Sequence, residues 1–319
     1  MGSRRVTRGG APARLPVALP PSRTVAVRAA DGTLLHTQVF GPDEGYPIVL
    51  AHGITCAIPV WAHQIADLAA DHRVIAFDHR GHGRSGVPRR GGYSLNHLAS
   101  DLDAVLEATL GPHERAVIAG HSMGGIAITA WSDRYRHKVA RRADAVALIN
   151  TTTGDLLRKV RLLPVPAQLA PARVWAARGL IATLGSVPLP GAGRRVAREF
   201  IAMMTVGADA DPGVAALICD LFLGTAPAGR GGCAKMLSTM GCRHLSLTGL
   251  TVPTLVIGSR RDRLTPISQS RRIAATVPNL AGLVELPGGH CAMLERPADV
   301  TRELRALTEW ARGARRISS

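Results

Sequence analysis

Short apolar runs at residues 48–51, 74–77, 116–119 and 145–149 recur through the first half of the chain, each followed by turn chemistry or a helical pattern. Runs of this length predict strands buried on both faces, and their alternation with helical segments predicts parallel βα units. Upstream, residues 24–30 and 34–40 read as strands around Asp31-Gly32, a hairpin turn signal, so a short antiparallel edge is expected. Helices are expected over residues 60–70, 95–110 and 124–135, the second with Leu95, Leu98, Leu102, Val105 and Leu106 at helical spacing.

After Asn150 the rhythm changes. Residues 151–249 hold helical, Pro-broken and Gly-rich segments with no clear strand, and their apolar groups, among them Leu156, Leu162, Trp175, Ile181, Phe200 and Met203, exceed what a loop needs. They predict a helical lid over an apolar pocket, although for any one residue packing within the protein is the first expectation. Strand patterns resume at 253–257 and 282–286, with helices at 268–275 and 298–311. The expected organisation is a disordered basic tail (1–23), a core (24–150), a helical cap (151–249), the rest of the core (250–312) and a basic tail (313–319).

Composition narrows the function classes. At 319 residues, 46% hydrophobic and 19% charged, the chain can bury a large core, and no apolar run approaches the length of a membrane-spanning helix. The net charge of +16 comes mostly from arginines spread along the chain, and aromatics make up only 3%, a pattern that argues against nucleic acid. The same charge suits peripheral contact with an anionic membrane surface. Five cysteines with no CxxC pair point to free thiols in a reducing, cytoplasmic setting. The first residues carry Arg4 and Arg5, but Pro12, Pro16, Pro20 and Pro21 interrupt the hydrophobic segment an export signal would need.

The chemistry concentrates at three strand ends. Gly120-His121-Ser122-Met123-Gly124 has the G-x-S-x-G form of a nucleophile elbow, set between an apolar strand and a helix-compatible run. A serine is a weak nucleophile at neutral pH and needs a histidine base oriented by a carboxylate. His52-Gly53-Ile54 follows the strand at 48–51, and Asp78-His79-Arg80-Gly81-His82-Gly83-Arg84-Ser85 follows the strand at 74–77. From about residue 24 to 311 the sequence resembles the α/β-hydrolase superfamily, whose capped members carry these motifs in this order.

The resemblance implies an α/β fold: a mostly parallel eight-stranded sheet flanked by helices, with an inserted helical cap. It implies Ser122 as nucleophile, Asp262 in the loop Val256–Pro266 as the acid, His290 after Gly288-Gly289 as the base, and the backbone N–H groups of Ile54 and Met123 as the oxyanion hole. The order Ser122, Asp262, His290 is that of the hydrolase fold. Asp155 is the alternative acid, Asp144 reads as a strand-entry charge, and most of the twelve histidines are expected to be surface or structural. Arg260, Arg261 and Arg263 are expected to solvate the acid loop, and Cys56 and Cys291 to be small core residues.

The expected activity is cleavage of a carboxylic ester, as an esterase or small lipase, through an acyl-serine, with no cofactor and no metal. The partner is then a small-molecule ester with an apolar acyl group. Carbon–carbon hydrolysis of a diketone-like substrate and perhydrolase-like activity are the enzymatic alternatives, and noncatalytic ligand or partner binding is the alternative of another class. Epoxide hydrolases and haloalkane dehalogenases use an acidic nucleophile where this chain has Ser122. All three tyrosines, Tyr46, Tyr93 and Tyr135, also precede the cap.

Overall fold

The computed structural model describes residues 17–154, 191–240 and 245–318. Eight strands form one sheet: β1 (Ser22–Arg28), β2 (Leu34–Phe40), β3 (Tyr46–Ala51), β4 (His72–Phe77), β5 (Ala116–His121), β6 (Ala143–Ile149), β7 (Thr254–Ser259) and β8 (Leu280–Leu286). Their order is β1-β2-β4-β3-β5-β6-β7-β8, antiparallel at the β1, β2 and β4 pairings and parallel from β4 onward. The Asp31-Gly32 turn closes the first hairpin as expected: Gly32 takes φ 84° and the Asp31 carboxylate accepts the Thr33 N–H at 3.1 Å.

The helices are α1 (Ala62–Leu68), α2 (Leu95–Thr109), α3 (Met123–Arg134), α4 (Arg136–Arg142), α5 (Gly191–Thr205), α6 (Pro212–Gly224), α7 (Pro227–Ser238), α8 (Ile267–Thr276), α9 (Ala292–Glu295) and α10 (Pro297–Ser318). Ser94 caps α2 by accepting the His97 N–H at 3.2 Å. Ahead of α1, residues Ile58–Trp61 form a 3₁₀ turn, which shortens the helix expected over 60–70.

Strand residues alternate between two apolar layers because successive side chains point to opposite faces. Ile48, Leu50, Val74, Ala76, Val117 and Ala119 pack on one side, with residues of α1, α9 and α10. Val49, Ala51, Ile75, Phe77, Ile118 and Val146 pack on the other, with residues of α2, α3 and α8. A third, smaller cluster joins Leu98, Met123, Ile126 and Ala127 of the body to Cys233, Met236, Leu237 and Met240 at α7.

Two boundaries depart from expectation. Strand β1 begins at Ser22, inside the stretch expected to be a tail, because Ser22 and Arg23 pair with Phe40 and Val39 and Arg23 meets Asp43 at 3.2 Å. Helix α10 runs on to Ser318, so the basic residues after 312 continue a helix up to that point. Among the described residues no single helix is long and apolar enough to cross a membrane; α6 and α7 together are, but they meet at a 100° bend.

The segment after β4 is a structural clamp. Arg80 is fully buried and forms a bidentate pair with buried Asp101 of α2, at 2.6 and 2.5 Å, while its Nη1 also reaches Asp31 and the Gly92 carbonyl at 2.7 Å. A buried arginine is tolerable only when its fork is filled in this way. Asp78 accepts the Ile58 and Arg84 N–H groups, each at 2.8 Å, so this turn also braces the chain that follows β3.

Candidate active site

In-register parallel pairing brings the ends of five strands to one edge. Ala51 pairs with Gly120, His121 with Ile149, Ile149 with Ile257, and Ser259 with Leu286. The loops leaving these ends carry His52, Ser122, Asn150, Asp262 and His290, at the carboxyl edge where ligands of open α/β sheets bind.

Ser122 sits between β5 and α3 with φ 51° and ψ −115°, a strained backbone for a residue with a side chain. The turn closes because its neighbours have none: a Cβ on Gly120 would lie 2.5 Å from the Gly124 carbonyl carbon, and one on Gly124 would run into the Ala51 carbonyl. The Ser122 N–H donates to the Ile149 carbonyl at 3.0 Å, and the Ser122 carbonyl accepts from Ile126 N–H at 3.1 Å and Thr151 Oγ1 at 2.7 Å. Ser122 is half-buried, so solvent reaches it.

His290 and Asp262 are in contact. His290 Nδ1 lies 2.8 Å from Asp262 Oδ2. An ionised carboxylate only accepts, so Nδ1 carries the proton and Nε2 keeps a lone pair. The Asp262 carboxylate takes four further bonds: Leu264 N–H at 2.8 Å and Thr265 N–H at 2.9 Å on Oδ1, Thr265 Oγ1 at 2.7 Å and Asn150 Nδ2 at 2.8 Å on Oδ2. Burial alone would raise its pKa, but the pairing with His290 and these hydrogen bonds outweigh burial and hold it below the usual value. Arg260, Arg261 and Arg263 spend their bonds elsewhere, on Glu285, Asp209 and the Met203 carbonyl.

The turn after β3 lies against the nucleophile: a Cβ on Gly53 would stand 3.2 Å from Ser122 Cβ. That contact brings the Ile54 loop beside Met123, whose N–H opens α3 and has no acceptor within its own helix. His52 is locked behind the loop, its Nε2 accepting the His79 N–H at 3.0 Å, which leaves Nδ1 to donate to the Gly53 carbonyl at 2.7 Å. His121 donates from Nε2 to the His290 carbonyl at 2.9 Å, and the two rings lie 4.7 Å apart. The elbow and the histidine loop are therefore in direct contact.

Cys56 and Cys291 are buried, and burial pushes the Cys56 thiol up to about 12 and the Cys291 thiol further from ionisation. Neither can supply a thiolate. Asp155 lies outside the described residues. Asn150 is the residue that the sequence leaves unmarked: fully buried at φ 43°, it reaches 112 positions along the chain to Asp262. Its place one residue beyond a strand end was readable, but its partner was not.

Behind the site lies a group of buried neutral imidazoles. Burial, assisted by neighbouring positive charge, lowers His79 and His121 to about 3; burial lowers His82 to about 4, and His52 is lowered well below its usual value. Unfolded histidines bind protons near pH 6.5, so below that pH the unfolded chain holds more protons and stability falls with acid. Asp78, raised to about 6 mainly by burial, and Asp101, raised by burial, act in the opposite sense but are two groups against four. The urea unfolding midpoint is expected to drop steeply between pH 7 and about pH 4, within the window those shifts set. A midpoint that holds constant over that range would contradict the burial of these rings.

Residues 48–303 match the Alpha/beta hydrolase family. Over 93 residues the chain is 40% identical to a Variovorax paradoxus protein provisionally named carbamate hydrolase RutD, covering 29% of this chain and 34% of that protein, so it spans about a third of that relative. It is 26% identical over 280 residues to a protein of the same provisional name from Pseudomonas savastanoi pv. phaseolicola, covering 81% and 91% of the two chains. The enol-lactonase from Burkholderia xenovorans LB400 has the same fold, with a TM-score of 0.71 at 27% identity over 89% of this chain and 99% of that one. Since the family match extends over well more than half of its length, from β3 into α10, the chain belongs to the Alpha/beta hydrolase family.

Proposed function

We propose that this protein is a serine hydrolase that cleaves a carboxylic ester through an acyl-serine intermediate. The observation that carries the reading is the 2.8 Å bond from His290 Nδ1 to Asp262, which leaves Nε2 as the free base on a loop touching the Ser122 turn. Ser122 Oγ attacks the acyl carbon and gives its proton to His290 Nε2. The tetrahedral oxygen takes its negative charge into the N–H groups of Ile54 and Met123. His290 then protonates the departing alcohol, and a water that it deprotonates releases the acid and restores Ser122.

Met123, next to Ser122, and Ile54 pack in an apolar cluster with Cys233, Met236, Leu237 and Met240, surroundings that suit an apolar acyl group. The solved enol-lactonase of like fold is named for an internal ester, a substrate that the same acyl transfer would open. A panel of acyl esters of graded chain length, with and without pretreatment by a fluorophosphonate, tests the reading. Turnover of short and medium esters is expected, with loss on pretreatment. Labelling without ester turnover would point to carbon–carbon substrates, and absence of both would favour ligand binding.

A further inference from the structure

One carboxylate outside the candidate triad holds the histidine loop in place. Glu295, the last residue of α9, accepts the Gly289 N–H at 2.8 Å on Oε2 and the Cys291 N–H at 3.1 Å on Oε1. These donors flank His290 on both sides. The same Oε2 also accepts the Gly207 N–H at 2.9 Å, and the His290 N–H itself donates to the Thr205 carbonyl at 3.0 Å. Thr205 and Gly207 belong to the end of α5 and the turn beyond it, in the helical insertion and not in the sheet body.

Two glycines meet closely at the junction. A Cβ on Gly289 would sit 2.5 Å from the Gly207 nitrogen, and one on Gly207 would sit 2.8 Å from Glu295 Oε2. The acid loop is tied to the same stretch of the insertion: Arg261 pairs with Asp209 at 2.5 Å, and Arg263 donates to the Met203 carbonyl at 3.0 Å. Both loops that supply the proposed base and acid thus lean on residues 203–209.

We propose that Glu295 is a positioning residue that fastens the His290 loop to the helical insertion, so that the imidazole is aimed at Ser122 only while the insertion is seated. The proposal rests on the serine-hydrolase reading. Three backbone donors converging on one carboxylate fix the loop from both sides, and a displacement of the base by about 1 Å costs on the order of 10²-fold in rate. Because Glu295 touches neither substrate nor the reacting atoms, its effect should fall on kcat and leave KM nearly unchanged.

The test compares the wild type with Glu295→Gln and Glu295→Asp, assayed well below the lowest melting temperature of the set. Glutamine keeps the side-chain length but turns one acceptor into a donor facing backbone N–H groups; aspartate keeps both acceptors on a shorter stem. The expected result for Glu295→Gln is a fall in kcat of about 10- to 100-fold with KM within about threefold. The rate of fluorophosphonate labelling should fall in step, and Glu295→Asp should recover part of both. Gly207→Ala, which presses a methyl group on the same carboxylate from the insertion side, should lower kcat in the same direction and covers the case in which Glu295→Gln does not fold. Folded variants with kcat and labelling rate within twofold of wild type overturn the proposal alone. A wild type that takes no label and turns over no ester overturns the serine reading, and the proposal with it.

Discussion

Ser122→Ala is expected to lower the proposed ester turnover by about 10⁵- to 10⁶-fold while leaving the fold intact. Two features of the site make the loss that large. In the proposed mechanism the hydroxyl forms the covalent bond, and no neighbouring group would take over its step; the nearby thiols of Cys56 and Cys291 are buried and held protonated. The rest of the proposed machinery also acts through that atom, because the proposed base at His290 Nε2 has no nucleophile to activate without it. A residual rate of about 10³-fold over water is still expected from the oxyanion donors and binding alone. Alanine fits the turn, since strain at φ 51° is already accommodated by Gly120 and Gly124. Steady-state hydrolysis of the best ester from the chain-length panel reads the effect, with circular dichroism as the folding control.

Asp262→Asn is expected to lower kcat by about 10⁴-fold, and the reason lies in one proton. The carboxylate keeps the proton of His290 on Nδ1. An asparagine can turn its amide toward that nitrogen and donate to it, which moves the imidazole proton to Nε2 and removes the base. The Leu264 and Thr265 N–H groups still find an acceptor in the amide oxygen, so the loop persists and the loss is chemical. Asp155→Asn is the matched control. As the alternative acid it would have to show the large loss, whereas the assignment to Asp262 predicts a rate near that of wild type. A large loss in Asp155→Asn with a small one in Asp262→Asn would reassign the acid.

Much of this architecture could be read directly from the chain. The central strands appear as continuous apolar runs because they are buried on both faces, and the Asp31-Gly32 turn and the G-x-S-x-G elbow demand particular residues at fixed spacing. What escaped the sequence depends on distance in space. Asn150 acts on Asp262 only because β6 and β7 are neighbours in the sheet. Glu295 matters because its carboxylate folds back over Gly289 and Cys291 and meets an amide from a segment 88 positions away. No periodicity marks either residue.

The boundaries slipped for a related reason. Ser22 and Arg23 read as tail because neither is apolar, yet an edge strand needs only backbone pairing on one side. The burial of His52, His79, His82 and His121 escaped a composition argument because imidazole hydrophobicity depends on protonation, and these rings stay neutral by being buried. His79 has neither ring nitrogen paired among the described groups, an arrangement tolerable only for the uncharged ring.

The most direct test of the central claim is to trap the covalent intermediate. Mixing the protein with an activated short-chain ester, quenching within a single turnover and mapping the digest by mass spectrometry should find one acyl group on the peptide bearing Ser122, after a burst of released alcohol that matches the enzyme concentration. Acid product formed at the normal rate with no acyl mass on Ser122, or with that mass on another residue, would contradict the account.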